Sequence, residues 1–193
     1  LQRAFPDAAL TALDVSSRSL SHCEARAIRP LETVCYDGQT LPFADATFDM
    51  VFTACVFHHI PEDDHIRLLR EIRRTLTPQG RFVLFEHNPW NPATRHAVAT
   101  CPFDANAVLI SAPEMRRRFR AAGVRRVQPS TGTPISDFDV RIVSEVLTLA
   151  TLGALVSRSV RKAWKLGRSA ATSFRMKSIS PFSIWHSRTC GSE

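Results

Sequence analysis

Two adjacent histidines, His58 and His59, end an apolar run that opens at Phe48-Asp49. Carboxylates end or follow three other apolar runs: Asp14 closes "ALTALD", Asp37 follows "LETVCY", and Glu86 closes "RFVLFE" directly before His87. Imidazoles shuttle protons near neutral pH or ligate metals, and carboxylates accept hydrogen bonds from hydroxyl and amino groups. A mononuclear zinc site needs three or four converging ligands, whereas neighbouring strand-end histidines point apart, so the spacing predicts no metal site. Packing and capping are the expected duty of His59, and His58 is the better candidate for meeting a ligand.

These side chains need a scaffold, and the hydrophobic pattern supplies one. The runs 9–14, 31–38, 48–57 and 81–86 read as strands, rich in β-branched and aromatic residues. Ser16 or Ser17 offers a hydroxyl cap for a helix through "SRSLSHCEARA". After Pro61, the acids Glu62, Asp63 and Asp64 suit the positive end of a helix whose inner face carries Ile66, Leu69, Ile72 and Leu76. "TPQG" (77–80) predicts a turn. Ser111 and Glu114 form a capping box for "EMRRRFRAA", which Gly123 closes before a short strand "VRRVQ"; the arginines there read as a solvated face. Alternating strands and helices predict an α/β fold with an open, mostly parallel sheet, and in such sheets ligands bind beyond the carboxyl ends of the strands. His58, Glu86 and His87 therefore fall on one ligand edge as candidates for substrate handling. The loop "EHNPWNPATR" reads either as a substrate wall bearing Asn88, Trp90 and Asn91 or as a rigid turn with Trp90 packed on the core.

Composition narrows the class. The chain has 193 residues, 44% hydrophobic and 22% charged, enough for one domain with a sizeable core. Its net charge of +7 is not spread over that domain: residues 1–145 hold 17 arginines against 17 acids, and 146–193 hold eight basic residues against Glu193 alone. The five cysteines are widely spaced with no C-x-x-C pair, so no disulfide framework is indicated, and a cytoplasmic location is expected.

In order and spacing, "ALTALDVSSRSL", "YDGQTLPFADATFDMVFTACVFHHI" and "LTPQGRFVLFEH" resemble the class I S-adenosylmethionine-dependent methyltransferases, in particular the type 11 methyltransferase domain. The resemblance covers residues 1 to about 127 and implies a Rossmann-like sheet with flanking helices. By analogy, Asp14, with Val15 beside it, would hold the ribose hydroxyls of S-adenosylmethionine. Asp37 would read the adenine amino group, with Gly38 allowing close backbone approach, and Thr53 and Ala54 would face the methionine part. His58 would sit at the rim of the cofactor pocket. The family's first strand and glycine-rich loop are missing from the sequence, whose first glycine is Gly38, so a fragment that binds the cofactor weakly is expected. Methyl transfer is an in-line displacement governed by positioning, and a general base is required only when the acceptor retains its proton.

The acidic strand ends and the polar Trp-bearing loop favour a small-molecule acceptor and argue against nucleic acid. Short-chain dehydrogenases would need Y-x-x-x-K, yet the single tyrosine, Tyr36, is followed by Asp-Gly-Gln-Thr. The remaining alternative is a degenerate methyltransferase fold serving as an interaction module without catalysis. Residues 128–193 read as an atypical basic extension, helical or disordered. Within it, "VLTLATLGALV" is too short to span a bilayer, and the segment bearing Lys162 and Lys165 could touch a membrane surface.

Overall fold

The computed structural model describes residues 8–27, 31–124, 128–129, 138–143 and 174–179, the last three segments as backbone only. Seven strands form one sheet: β1 (Ala8–Asp14), β2 (Glu32–Cys35), β3 (Phe48–Ala54), β4 (Leu76–His87), β5 (Gln128–Pro129), β6 (Phe138–Val143) and β7 (Phe174–Ile179). Their order across the sheet is β2-β1-β7-β3-β4-β6-β5, and every pairing is parallel. The helices are α1 (Ser17–Arg26), α2 (Glu62–Thr75), α3 (Pro92–Thr100) and α4 (Ala112–Ala121). The expected Rossmann-like α/β arrangement is thus present. None of the described helices is long and apolar enough to cross a membrane.

Local chemistry sets the helix ends. Ser16 Oγ accepts from Ser19 N–H at 3.2 Å to open α1, and Ser111 Oγ accepts from Glu114 N–H at 3.4 Å to open α4. Gly123 follows α4 at φ +82°, a left-handed position that favours glycine, and its N–H donates to Arg120 O at 2.9 Å. Leu69 and Ile72 of α2, Met115 and Phe119 of α4, and Phe82 and Leu84 of β4 are all but completely buried. Each such side chain contributes roughly 1.5–3 kcal/mol through apolar burial.

Three features differ from the sequence expectations. "TPQG" does not break the chain; β4 runs through it, with pairing to β3 slipping between Phe48↔Leu76 and Met50↔Arg81. The extra residues are absorbed as an irregularity because parallel pairing resumes on the apolar run that follows. Residues 128–193 suggest helix or disorder, yet their three described segments are strands of the same sheet; "VLTLATLGALV", Lys162, Lys165 and residues 125–127 of "VRRVQ" lie outside the described residues. Phe174–Ile179, not predicted as a strand, lies as β7 between β1 and β3. A further departure concerns cysteine: Cys35 is disulfide-bonded, while Cys23, Cys55 and Cys101 are free.

Gly80 marks the tightest point of the irregular stretch. A Cβ there would lie 2.9 Å from Thr77 O and 3.0 Å from Phe48 O, both backbone atoms that cannot turn aside. Gly80→Ala is expected to destabilise the fold by roughly 1–3 kcal/mol through overpacking, read as a lower urea midpoint at unchanged slope.

Candidate active site

Because the strands are parallel, their carboxyl ends share one edge. Asp14 pairs with Cys35, Leu13 and Thr53 both pair with Ile179, and Ala54 pairs with Phe85. Strand spacing therefore puts the levels of Asp14 and Ala54 about 10 Å apart across β7. All of the sequence-predicted site residues lie on or just beyond this edge.

On the β1–β2 side, Asp14 is 1% exposed and its Oδ1 accepts from Ser16 N–H at 2.9 Å, so the carboxylate also braces the turn into α1. Its carbonyl accepts from Tyr36 N–H at 3.1 Å, tying the two strand ends together. Burial, and then the neighbouring Asp14 charge, push the Tyr36 phenol up to about 12. Val15 is half-buried beside Asp14. Asp37 is exposed, and its Oδ1 accepts from Gln39 N–H at 2.8 Å and Thr40 N–H at 3.3 Å, a turn in which Gly38 takes φ +78°.

On the β3–β4 side, Thr53 is fully buried and its Oγ1 has no hydrogen-bond partner among the described residues; Ala54 is 4% exposed. Cys55 then adopts φ +55°, sparsely populated for a residue with a Cβ, and its N–H donates to Phe85 O at 2.9 Å. That kink delivers the chain into a single 3-10 turn, Phe57–His59. Glu86, buried at the end of β4, accepts from Val56 N–H at 2.9 Å and Phe57 N–H at 2.7 Å through Oε1. Its Oε2 lies 2.6 Å from His58 Nδ1.

A buried carboxylate is normally disfavoured by desolvation. Here His58 and the two N–H donors outweigh it and hold Glu86 below the ordinary carboxylate range. Burial likewise opposes a charged His58, but Glu86 and then Asp104 prevail and raise it. His59 and His87 are both lowered, by burial first and then by the His58 charge. The His87 ring centroid lies 5.0 Å from that of His58.

The two adjacent histidines do not point apart, because they occupy a tight turn and not a strand end. Their ring centroids are 4.1 Å apart, and both Nε2 atoms approach Asp104 Oδ1, at 3.6 Å from His58 and 3.3 Å from His59. Asp104 ends a second 3-10 turn, Pro102–Asp104, after α3. Sequence reasoning missed it: nothing in "CPFDAN" announces an acid that returns 46 positions along the chain to two histidines. The only signal was Pro102, a residue suited to a first turn.

Trp90 is 66% exposed, which overturns its packing on the core. Asn88 Oδ1 accepts from Trp90 N–H at 3.0 Å, and Asn91 caps α3 by accepting from Ala93 N–H at 2.9 Å. Phe103 and Val108 are also exposed, and Val108 N–H donates to His58 O at 2.8 Å, so both flank the histidine turn. Away from this edge, the arginine face of α4 is not wholly solvated: Arg118 is buried, bonded to Glu114 at 2.7 Å and to His65, and 3.3 Å from Glu62.

A family described as a methyltransferase domain matches residues 1–84. The chain is similar to a demethylmenaquinone methyltransferase of Thermotoga maritima, 38% identical over 47% of this chain and 38% of that one. It is 36% identical to a fatty-acid O-methyltransferase of Mycolicibacterium smegmatis, over 53% of this chain and 38% of that one. A probable phthiotriol/phenolphthiotriol dimycocerosates methyltransferase 2 of Mycobacterium ulcerans is 30% identical over 69% of this chain and 59% of its own length. The chain thus spans between 38% and 59% of the length of these relatives.

Proposed function

We propose, for a chain whose residues 1–84 match a methyltransferase domain, that the carboxyl edge of the sheet carries S-adenosylmethionine-dependent methyl transfer to a lipophilic small molecule. The observation that carries this reading is the gathering of Asp14, Asp37, Thr53, Ala54, His58 and Glu86 along one edge of one parallel sheet.

The donor set fits the adenosine end of S-adenosylmethionine. Ribose hydroxyls and an adenine amino group are donors, and Asp14 and Asp37 supply carboxylate acceptors at neighbouring strand ends, with Gly38 turned at positive φ between strand and loop. Asp14, Val15, Asp37 and Gly38 would hold that end, and Thr53 and Ala54 would meet the methionine end. When bound, the cofactor supplies a sulfonium methyl open to in-line displacement. The chain's own contribution is orientation. Glu86 acts through His58, fixing its ring by the Nδ1 contact, with Nε2 turned to Asp104 and His87 beside the ring.

Exposed Trp90, Phe103 and Val108 next to this edge suit an apolar acceptor, in keeping with the quinone and lipid names of the relatives. The alternative, a fold retained for interaction without catalysis, draws on one observation: Asp14 already has work as a turn brace.

Calorimetry with S-adenosylhomocysteine separates the two. Binding by the full chain that Asp14→Asn weakens by roughly 1.5–3 kcal/mol, about tenfold or more, at unchanged circular dichroism supports the cofactor role. No binding by the wild-type chain, or binding indifferent to Asp14→Asn, would favour the interaction module or reduce Asp14 to a cap.

A further inference from the structure

We propose that His58 Nε2, His59 Nε2 and Asp104 Oδ1 form a binding site for a single divalent cation of the zinc class, with one further coordination position left open. The inference takes its site from the geometry of the histidine turn.

Asp104 Oδ1 stands 3.6 Å from His58 Nε2 and 3.3 Å from His59 Nε2, and all three donor atoms lie within 4.8 Å of one another. Donors bound tetrahedrally at 2.0–2.1 Å stand about 3.3 Å apart, so two of the three edges already have nearly the length that a zinc-sized ion requires. Two imidazoles and a carboxylate are a donor set suited to zinc, and they leave a four-coordinate ion one position for an oxygen ligand.

The atoms behind the donors point the same way. Metal-ligating histidines commonly pass their other ring N–H to a carboxylate, which fixes the tautomer. Glu86 Oε2 does this for His58 at 2.6 Å, and Glu86 is itself locked by Val56 and Phe57 N–H. With Nδ1–H directed to Glu86, Nε2 is the nitrogen that a cation would take, displacing the second proton that Glu86 and Asp104 otherwise favour.

His58 is 2% exposed, and its Nε2 has no hydrogen-bond partner within normal range although it faces the Asp104 carboxylate. Two acceptors facing each other in a buried place repel unless a positive species stands between them, either a proton or a cation. His59 Nε2 faces the same carboxylate oxygen, so a single cation among the three would satisfy all of them at once.

The test uses the full chain, stripped with a chelator and titrated with Co²⁺ as a spectroscopic stand-in for zinc. One equivalent of Co²⁺ giving the intense visible bands of tetrahedral coordination, displaced by Zn²⁺, is the expected result. His59→Ala and Asp104→Ala should each weaken Co²⁺ affinity by at least tenfold, Asp104→Asn less so, and Glu86→Gln by about 10–100-fold through the lost support of His58. His22→Ala and His96→Ala, elsewhere on the chain, should leave it unchanged. Circular dichroism accompanies every variant, and Asp104→Asn, which keeps the side-chain shape, covers the case in which an alanine variant fails to fold. No tetrahedral spectrum, or Co²⁺ binding indifferent to His59 and Asp104, would overturn the proposal and leave the turn as a proton-bridged ion pair. S-adenosylhomocysteine calorimetry on the same samples reports on the methyltransferase reading separately, since either ligand can bind while the other fails.

Discussion

Glu86→Ala is expected to lower the unfolding free energy by about 3–6 kcal/mol, a large share of the 5–15 kcal/mol that domains of this kind possess. The side chain is 2% exposed and holds three donors: Val56 N–H, Phe57 N–H and the Nδ1 side of His58. Truncation leaves those donors buried without a partner, at roughly 1–3 kcal/mol each, and removes the charge that faces His58. Glu86→Gln separates the two losses. Its amide oxygen can still accept from both backbone N–H groups, so the fold should lose only about 1–2 kcal/mol. Its amide nitrogen, however, now donates to His58 Nδ1 and moves the ring proton to Nε2. Urea denaturation should rank wild type above Gln and Gln well above Ala, while Co²⁺ binding should already be lost or greatly weakened at Gln. Equal stability of Ala and Gln would mean that the carboxylate bonds to Val56 and Phe57 contribute little, and that the turn is held by packing alone.

How much of this was legible in the sequence depends on the range of the interaction concerned. Asp14, Asp37 and Glu86 could be placed on one edge because strand direction is set by local alternation of apolar runs and helices, and parallel strands share an end. Ser16, Ser111 and Gly123 were legible for the same reason, since caps are decided within a few residues. Asp104 was not, because its relation to His58 and His59 exists only once the chain beyond α3 has returned to the histidine turn. The convergence of the two histidines was hidden by a single backbone angle, the positive φ of Cys55, which turns a strand end into a 3-10 turn. "TPQG" misled because turn propensity is a local signal and the pairing of β4 with β3 overrides it. The place of β7 between β1 and β3 is a long-range pairing that no residue in Phe174–Ile179 advertises. Arg118 followed the same rule: it reads as one more surface arginine until Glu62, Glu114 and His65 are brought around it.

Phe57→Ala is expected to cost about 3–5 kcal/mol, and its effect on the site should be disproportionate to its distance from any ligand. Phe57 is completely buried, edge-on to His65 with ring centroids 5.2 Å apart and tilted against Phe82 at 6.4 Å. It is also the first residue of the turn that carries both histidines, and its N–H is one of the two that lock Glu86. Removing the ring leaves a cavity beneath that turn, and the strained backbone at Cys55 favours relaxation into it. The histidine donors would then drift from the spacing that two of their three edges now hold. Phe57→Leu keeps the backbone donor and much of the volume, so it should cost roughly 1–2 kcal/mol and leave the turn in place. Urea midpoints and Co²⁺ titration together test the link: affinity should fall clearly for Ala and barely for Leu. A Phe57→Ala protein that loses stability yet binds Co²⁺ as tightly as wild type would show that Glu86 alone holds the turn, and that the core beneath it contributes stability without positioning the histidines.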